Sequence, residues 1–267
     1  MKKGIILCAD DFGMSDSVNH AIIELIELGR LSATSCMTTM PNWQSAANLL
    51  KNSQSSQAAI GLHFNLTEGE HSQPLNRLIV QSLSGKINTD HIVMTLRQQL
   101  DAFENTLGYA PTFVDGHQHV HAFPRIRTAI MTELQQRYGD NQPWVRDPIT
   151  PLTGHDSLLK AVIIRTLQFG FRHSLNKHTH TNSSFAGLYS LTPEADFPAM
   201  MVQWLSQLSH GGLIMCHPAS ETSQDEHAQA RIREYQYLAS DQFGDTLDQL
   251  NINLVNHPSD TTAPHKG

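Results

Sequence analysis

Short apolar runs and amphipathic helical periods alternate along this chain almost from its first residue. Gly4–Ala9 is a continuous apolar run of strand length. Asp16–Leu28 follows with Val18, Ala21, Ile22, Leu25 and Ile26 on one helical face and Gly29 placed to cap it. The same rhythm predicts strands over Ser32–Thr38, Ala58–Phe64, Pro111–Asp115, Trp144–Arg146 and Leu213–Cys216. Between them it predicts helices over Trp43–Leu50, Asp90–Leu107, Pro124 to Tyr138, Ser157–Phe169, Thr192–Leu208 and Asp225–Ala239, with Thr192-Pro193 as a cap-then-proline start. Repeated strand–helix units predict a parallel sheet with helices outside it, closed or nearly closed into a barrel. No linker and no fixed-period repeat divides the chain. One α/β domain is therefore expected over 1–257, with 258–267 as a flexible tail.

Composition narrows this picture. A chain of 267 residues with 39% hydrophobic and 16% charged positions is long enough, and apolar enough, to bury one sizeable core. With 18 Lys and Arg against 25 Asp and Glu the net charge is -7, which lacks the basic footprint of a nucleic-acid binder. No apolar run approaches the roughly 20 residues of a membrane span. The N-terminal apolar stretch stops at Asp10-Asp11, too soon for a secretory signal. Cys8, Cys36 and Cys216 are an odd, widely spaced trio, read as reduced and partly buried thiols, and a cytoplasmic location is the resulting expectation. Sixteen histidines, several of them clustered, point to metal chemistry or proton transfer.

Those histidines fall where a barrel does its chemistry, at the C-terminal ends of strands. Five predicted strands end on polar groups: Asp10-Asp11, His63, Asp115-Gly116-His117, Arg146 and His217. Taken singly, each has a plain structural reading: a turn with a helix-entry acid, a rim histidine, a polar loop, a surface pair of Arg146 with Asp147, a strand stop at His217-Pro218. Together they read as a site. In Asp115-Gly116-His117-Gln118-His119-Val120-His121 the three imidazoles could share one face if the segment stays extended. A mixed Asp and His set with open positions suits a catalytic divalent ion, and further histidines can orient substrate. No Gly-x-Ser-x-Gly elbow, phosphate-binding loop or full dinucleotide fingerprint is present. His178 and His180 lie in a polar stretch without an assigned role.

Four pieces, Ala9-Asp10-Asp11-Phe12-Gly13, Gly61-Leu62-His63-Phe64-Asn65-Leu66-Thr67, Asp115 to His121 and Met215-Cys216-His217-Pro218, together resemble the YdjC-like family of carbohydrate deacetylases. The resemblance implies a distorted (β/α) barrel related to polysaccharide deacetylases, acting on an N-acetylated sugar of the chitooligosaccharide kind. It also implies one divalent ion on Asp11, His63 and His117, Asp10 as base and His217 as acid. Arg146-Asp147-Pro148 looks like an element that supports the base, while His119 and His121 are candidate substrate contacts. The family points to magnesium; two imidazoles per ion suit zinc or another transition metal better. The partner expected is a small carbohydrate, not nucleic acid or membrane, and a homodimer is left open. The rival readings are a metal-dependent phosphoesterase, which would want more carboxylates and often a second ion, and a sugar-binding relative without turnover.

Overall fold

In the computed structural model one sheet runs in the order Trp144–Val145, Phe113–Gly116, Ala59–Phe64, Ala33–Cys36, Lys3–Phe12, Gly212–Cys216 and Phe185–Ala186, every neighbouring pair parallel. The residues described are 2–53, 58–70, 72–149, 162, 165–192, 194–221, 223 and 227–260. The strands are β1 (Lys3–Phe12), β2 (Ala33–Cys36), β3 (Ala59–Phe64), β4 (Phe113–Gly116), β5 (Trp144–Val145), β6 (Phe185–Ala186), β7 (Gly212–Cys216) and β8 (Ile252–Leu254). The helices are α1 (Asp16–Glu27), α2 (Trp43–Asn52), α3 (Leu75–Leu83), α4 (Thr89–Leu107), α5 (Ile126–Tyr138), α6 (Phe197–Gln207), α7 (Ala228–Ala239) and α8 (Asp241–Gln249). β8 runs beside the start of β1, and β2 beside its end.

Period-two alternation along the strands builds the site. Ile5, Leu7 and Ala9 belong to the large core against the helices, whereas Ile6 and Cys8 join Ala33, Ala59, Phe113, Trp144, Phe185, Leu213 and Met215 in a second cluster inside the barrel. One step further along each strand this apolar plug gives way to a polar layer: Cys8 to Asp10, Phe113 to Asp115, Trp144 to Arg146, Met215 to His217. In β3 the corresponding step is from Gly61 to His63. Phe113 stacks on Trp144 with centroids 4.4 Å apart, and a Cβ on Gly61 would lie 2.5 Å from the Phe113 ring, so glycine is what the plug admits there.

The barrel is closed at its seam by something other than a strand pair. Between β5 and β6, the Val145 N–H donates to the His180 carbonyl (2.9 Å). The buried Asn182 side chain accepts from Asp147 N (2.8 Å) and donates to the carbonyls of Asp147 and Ser184, both at 2.9 Å. The polar stretch around His178 and His180 thus has a structural task.

Several expected elements shift. β1 continues through Asp10-Asp11 to Phe12, and α3, α8, β6 and β8 were not anticipated. The helix expected from Thr192 begins at Phe197, because the Asp196 side chain accepts from Ala199 N and Pro198 takes the first turn. Pro124 lies before α5, whose cap is Arg125. Of the helix expected over 157–169, residues 165–168 are helical, while 157–161, 163 and 164 lie outside the described residues. The expected tail begins as a turn in which Asp260 N donates to His257 O (3.1 Å), and 261–267 lie outside the described residues. Among the described residues no helix is long and apolar enough to cross a membrane.

Candidate metal and catalytic site

A cavity of about 400 Å³ opens at the strand ends, and Asp10, Asp11, His63, His117, His119 and His217 are among the residues lining it. That both acids reach it requires a break in β1, since adjacent side chains on a regular strand face opposite ways. The β1–β2 register slips between Ala9 and Phe12, and Asp11 adopts φ +69. A non-glycine residue in that region is strained, and here the strain turns Asp11 toward the carboxylate-and-imidazole face that Asp10 already occupies.

Asp11, His63 and His117 present ligand atoms that all lie within 4.8 Å of one another. His117 Nδ1 is 2.9 Å and His63 Nε2 3.5 Å from Asp11 Oδ1. Behind each ring stands a carboxylate. The buried His63 Nδ1 donates to Asp115 Oδ1 at 2.6 Å, and His117 Nε2 lies 3.8 Å from Glu68. Such outer carboxylates fix the tautomer and orientation of metal-binding histidines. Burial alone would lower both imidazole pKa values, but Asp115 and Asp10 hold His63 up to about 10, and Asp11 raises His117. The cluster therefore favours positive charge between the rings, and a divalent ion fits its donor set.

A second group, Cys8, Asp10 and Asp115, is also close enough to chelate, yet the Arg146 guanidinium fills it. Arg146 is fully buried and grips Asp10 through both Nη atoms (2.7 and 2.6 Å), with Nη2 also 2.5 Å from Asp115 and 3.1 Å from Cys8 Sγ. Burial by itself would raise the Asp10 pKa; the Arg146 charge and hydrogen bonds reverse this and hold it well below the usual carboxylate range. One guanidinium thus organises both Asp10 and the carboxylate behind His63. The surface-pair reading of Arg146 with Asp147 is wrong: both are buried, and Asp147 instead accepts from Arg172 Nε (2.5 Å).

The three histidines after Asp115 do not share a face. The segment is a kinked 3-10 turn with left-handed backbone at Gln118 (φ 52) and His119 (φ 59). His117 turns to Asp11 and His119 to the cavity. His121 is 0% exposed and bonds through Nε2 to the Arg146 carbonyl (3.0 Å), so it supports Arg146 and does not reach the cavity as a substrate contact would. His217 lines the cavity as expected, but burial lowers its pKa to about 4.

Two residues from α7 went unforeseen. Arg231 Nη2 donates to Asp11 Oδ2 (2.7 Å), leaving Oδ1 to face the histidines. One turn on, the fully buried Glu234 accepts from the His217 backbone N–H and from Tyr189 OH (2.5 Å). Burial raises its pKa to about 7. The available signal was two charged residues at i and i+3 beside Ala230, Tyr237 and Leu238 on the buried helical face.

The strand ends thus hold an Asp-His-His cluster able to take a metal ion beside an arginine-clamped carboxylate, and comparison with known proteins gives the family. The YdjC-like protein model matches residues 4–249, and the chain belongs to that family. It is 26% identical to a chitooligosaccharide deacetylase of Yersinia enterocolitica, over 95% of this chain and 98% of the relative. It is also 26% identical to a carbohydrate deacetylase of Clostridium beijerinckii, over 94% and 98%. Its fold is shared by an Enterococcus faecalis V583 protein to which cellobiose-phosphate cleavage is ascribed (TM-score 0.69, 22% identity, 96% of this chain and 98% of that one).

Proposed function

We propose that this chain is a metal-dependent hydrolase that removes the N-acetyl group from a sugar unit of an N-acetylglucosamine-containing oligosaccharide. The observation that carries the reading is the bidentate Arg146–Asp10 clamp facing the same cavity as Asp11, His63 and His117. Asp11, His63 and His117 would hold a divalent ion, which when bound would supply Lewis acidity toward the acetyl carbonyl and lower the pKa of water. Two imidazoles and a carboxylate suit Zn²⁺ or another transition metal, with Mg²⁺, suggested by the family resemblance, as the alternative.

The chain's own groups do the proton work. Asp10, ionised by Arg146 and accepting from Ser35 Oγ (3.2 Å), is a fixed acceptor for the proton that water loses as it attacks the amide carbon. His217 lines the same cavity and rests neutral at pH 7. The proton that Asp10 has taken from water is relayed through the His217 ring to the departing nitrogen, so the C–N bond breaks to give acetate and amine and both groups return to their resting states. His119, also in the cavity with its pKa lowered by burial to about 3, is a neutral partner for a sugar hydroxyl or the acetamide. A two-metal phosphoesterase is disfavoured because Arg146 takes the position a second ion would need.

The test is release of acetate from N-acetylglucosamine oligomers by purified protein, with and without chelation. Turnover that is lost with a chelator and restored by a divalent ion supports the reading. Metal-independent turnover, or phosphate-ester hydrolysis without acetate release, overturns it.

A further inference from the structure

A second cavity, of about 420 Å³, adjoins the metal cavity, and Glu68 lines both. On one side the Glu68 carboxylate stands 3.8 Å from His117 Nε2; on the other it is part of a wall completed by α4. A molecule too long for the first cavity would have to pass Glu68 to enter this second space.

Its floor is built in advance. Gln99, buried on α4, accepts from Asn65 N (2.9 Å) and donates to Asn65 O (2.7 Å). The Asn65 side chain donates to Thr39 Oγ1 (2.7 Å) and Glu68 O (2.9 Å) and accepts from the Thr67 and Glu68 N–H groups, both at 3.0 Å. These bonds hold the turn that carries Glu68 at the junction, so ordering it costs a ligand little.

The wall differs in kind from the floor. His91, Thr95, Gln98 and Ala102 recur at helical spacing along one face of α4, and all line the cavity. Among the described residues the Thr95 and Gln98 side chains make no hydrogen bond of their own, so their donors and acceptors are available. Met94, half exposed on the same helix, adds an apolar surface. The described lining contains Glu68 and Glu70 but no Lys or Arg, which disfavours a phosphate or carboxylate. Hydroxyl-matching amides, a rigid floor and an apolar patch fit an uncharged pyranose ring.

We propose that this cavity is a subsite for the sugar unit joined to the one whose acetamide lies at the metal cavity, and that Thr95 and Gln98 determine the preference for oligosaccharide over monosaccharide. The inference rests on the deacetylase reading above and adds to it the place and chemistry of the second ring.

The experiment uses the full metal-loaded chain and compares N-acetylglucosamine with its β-1,4-linked dimer. Two ordinary hydrogen bonds to the second ring are worth about a tenfold preference in kcat/KM. Thr95→Trp, which fills the cavity, should erase most of that preference through KM, and Gln98→Ala, which removes one of the two bonds, should cut it to about threefold. Both should leave turnover of the monosaccharide within about twofold of the parent, as neither touches the metal cavity. Dimer binding, measured calorimetrically in the same proteins, should weaken in parallel. Equal losses on both sugars, or an undiminished dimer preference and affinity in both variants, would overturn the subsite. If the parent hydrolyses neither sugar the deacetylase reading fails, and the calorimetric comparison still decides whether the cavity binds the second ring.

Discussion

Replacing Glu234 by Gln should change how the stability of this protein depends on pH. Glu234 is fully buried, bonded to Tyr189 OH and the His217 N–H, and its pKa rises from 4.5 to about 7, mainly through burial. The folded chain therefore holds a proton that the unfolded chain has already released. Below pH 4.5 both states are protonated and the group contributes its full stability; as pH rises through 7 the folded state must ionise a buried carboxyl, and that stability is lost. A difference of roughly 2.5 pKa units corresponds to about 3 kcal/mol between pH 4.5 and a pH well above 7. Gln keeps an acceptor for one of the two donors and has no proton to lose. Urea unfolding of parent and Glu234→Gln, both metal-free, at pH 5, 6, 7 and 8 isolates the effect, because other titrating groups cancel in the difference. The variant should gain on the parent by about 2.5 kcal/mol from pH 5 to 8, most of it between pH 5 and 7. A difference that stays constant from pH 5 to 8 would refute the reasoning.

The remaining predictions concern the site and the seam. His63→Ala should lose most bound metal on elemental analysis while remaining folded; Asp10→Asn should keep the metal but lose about 10²–10⁴-fold in turnover. Equal metal loss in both would show that the two roles are not separate. His217→Ala should damage acetamide hydrolysis far more than hydrolysis of an activated acetate ester, because an amine leaves poorly without a proton; similar losses in a folded, metal-loaded variant would remove His217 from the reaction. Asn182→Ala leaves the Asp147 N–H and C=O without their partner at the barrel seam and should cost about 1–3 kcal/mol in urea unfolding. An unchanged midpoint would mean that the seam closes without it.

How far this site could be read from the chain follows from which contacts are local. Asp10, His63, Asp115, Arg146 and His217 were legible because each ends an apolar run, and strand alternation places each above the barrel's inner core. The two-residue β6, the three-residue β8 and the Asn182 seam were not legible, since each is defined by partners distant in sequence: Asn182 bonds across 35 residues. The imidazoles after Asp115 misled for the opposite reason. Their spacing suits an extended strand, but left-handed backbone at Gln118 and His119 sends successive rings to different tasks, with no glycine there to announce it. Asp11 combines both lessons. Its identity marks it as a ligand candidate, yet regular alternation would have pointed it away from Asp10. Only a bulge and a strained backbone, with Arg231 from a helix 220 residues away binding its outer oxygen, bring the neighbouring acids into one cavity with separate roles.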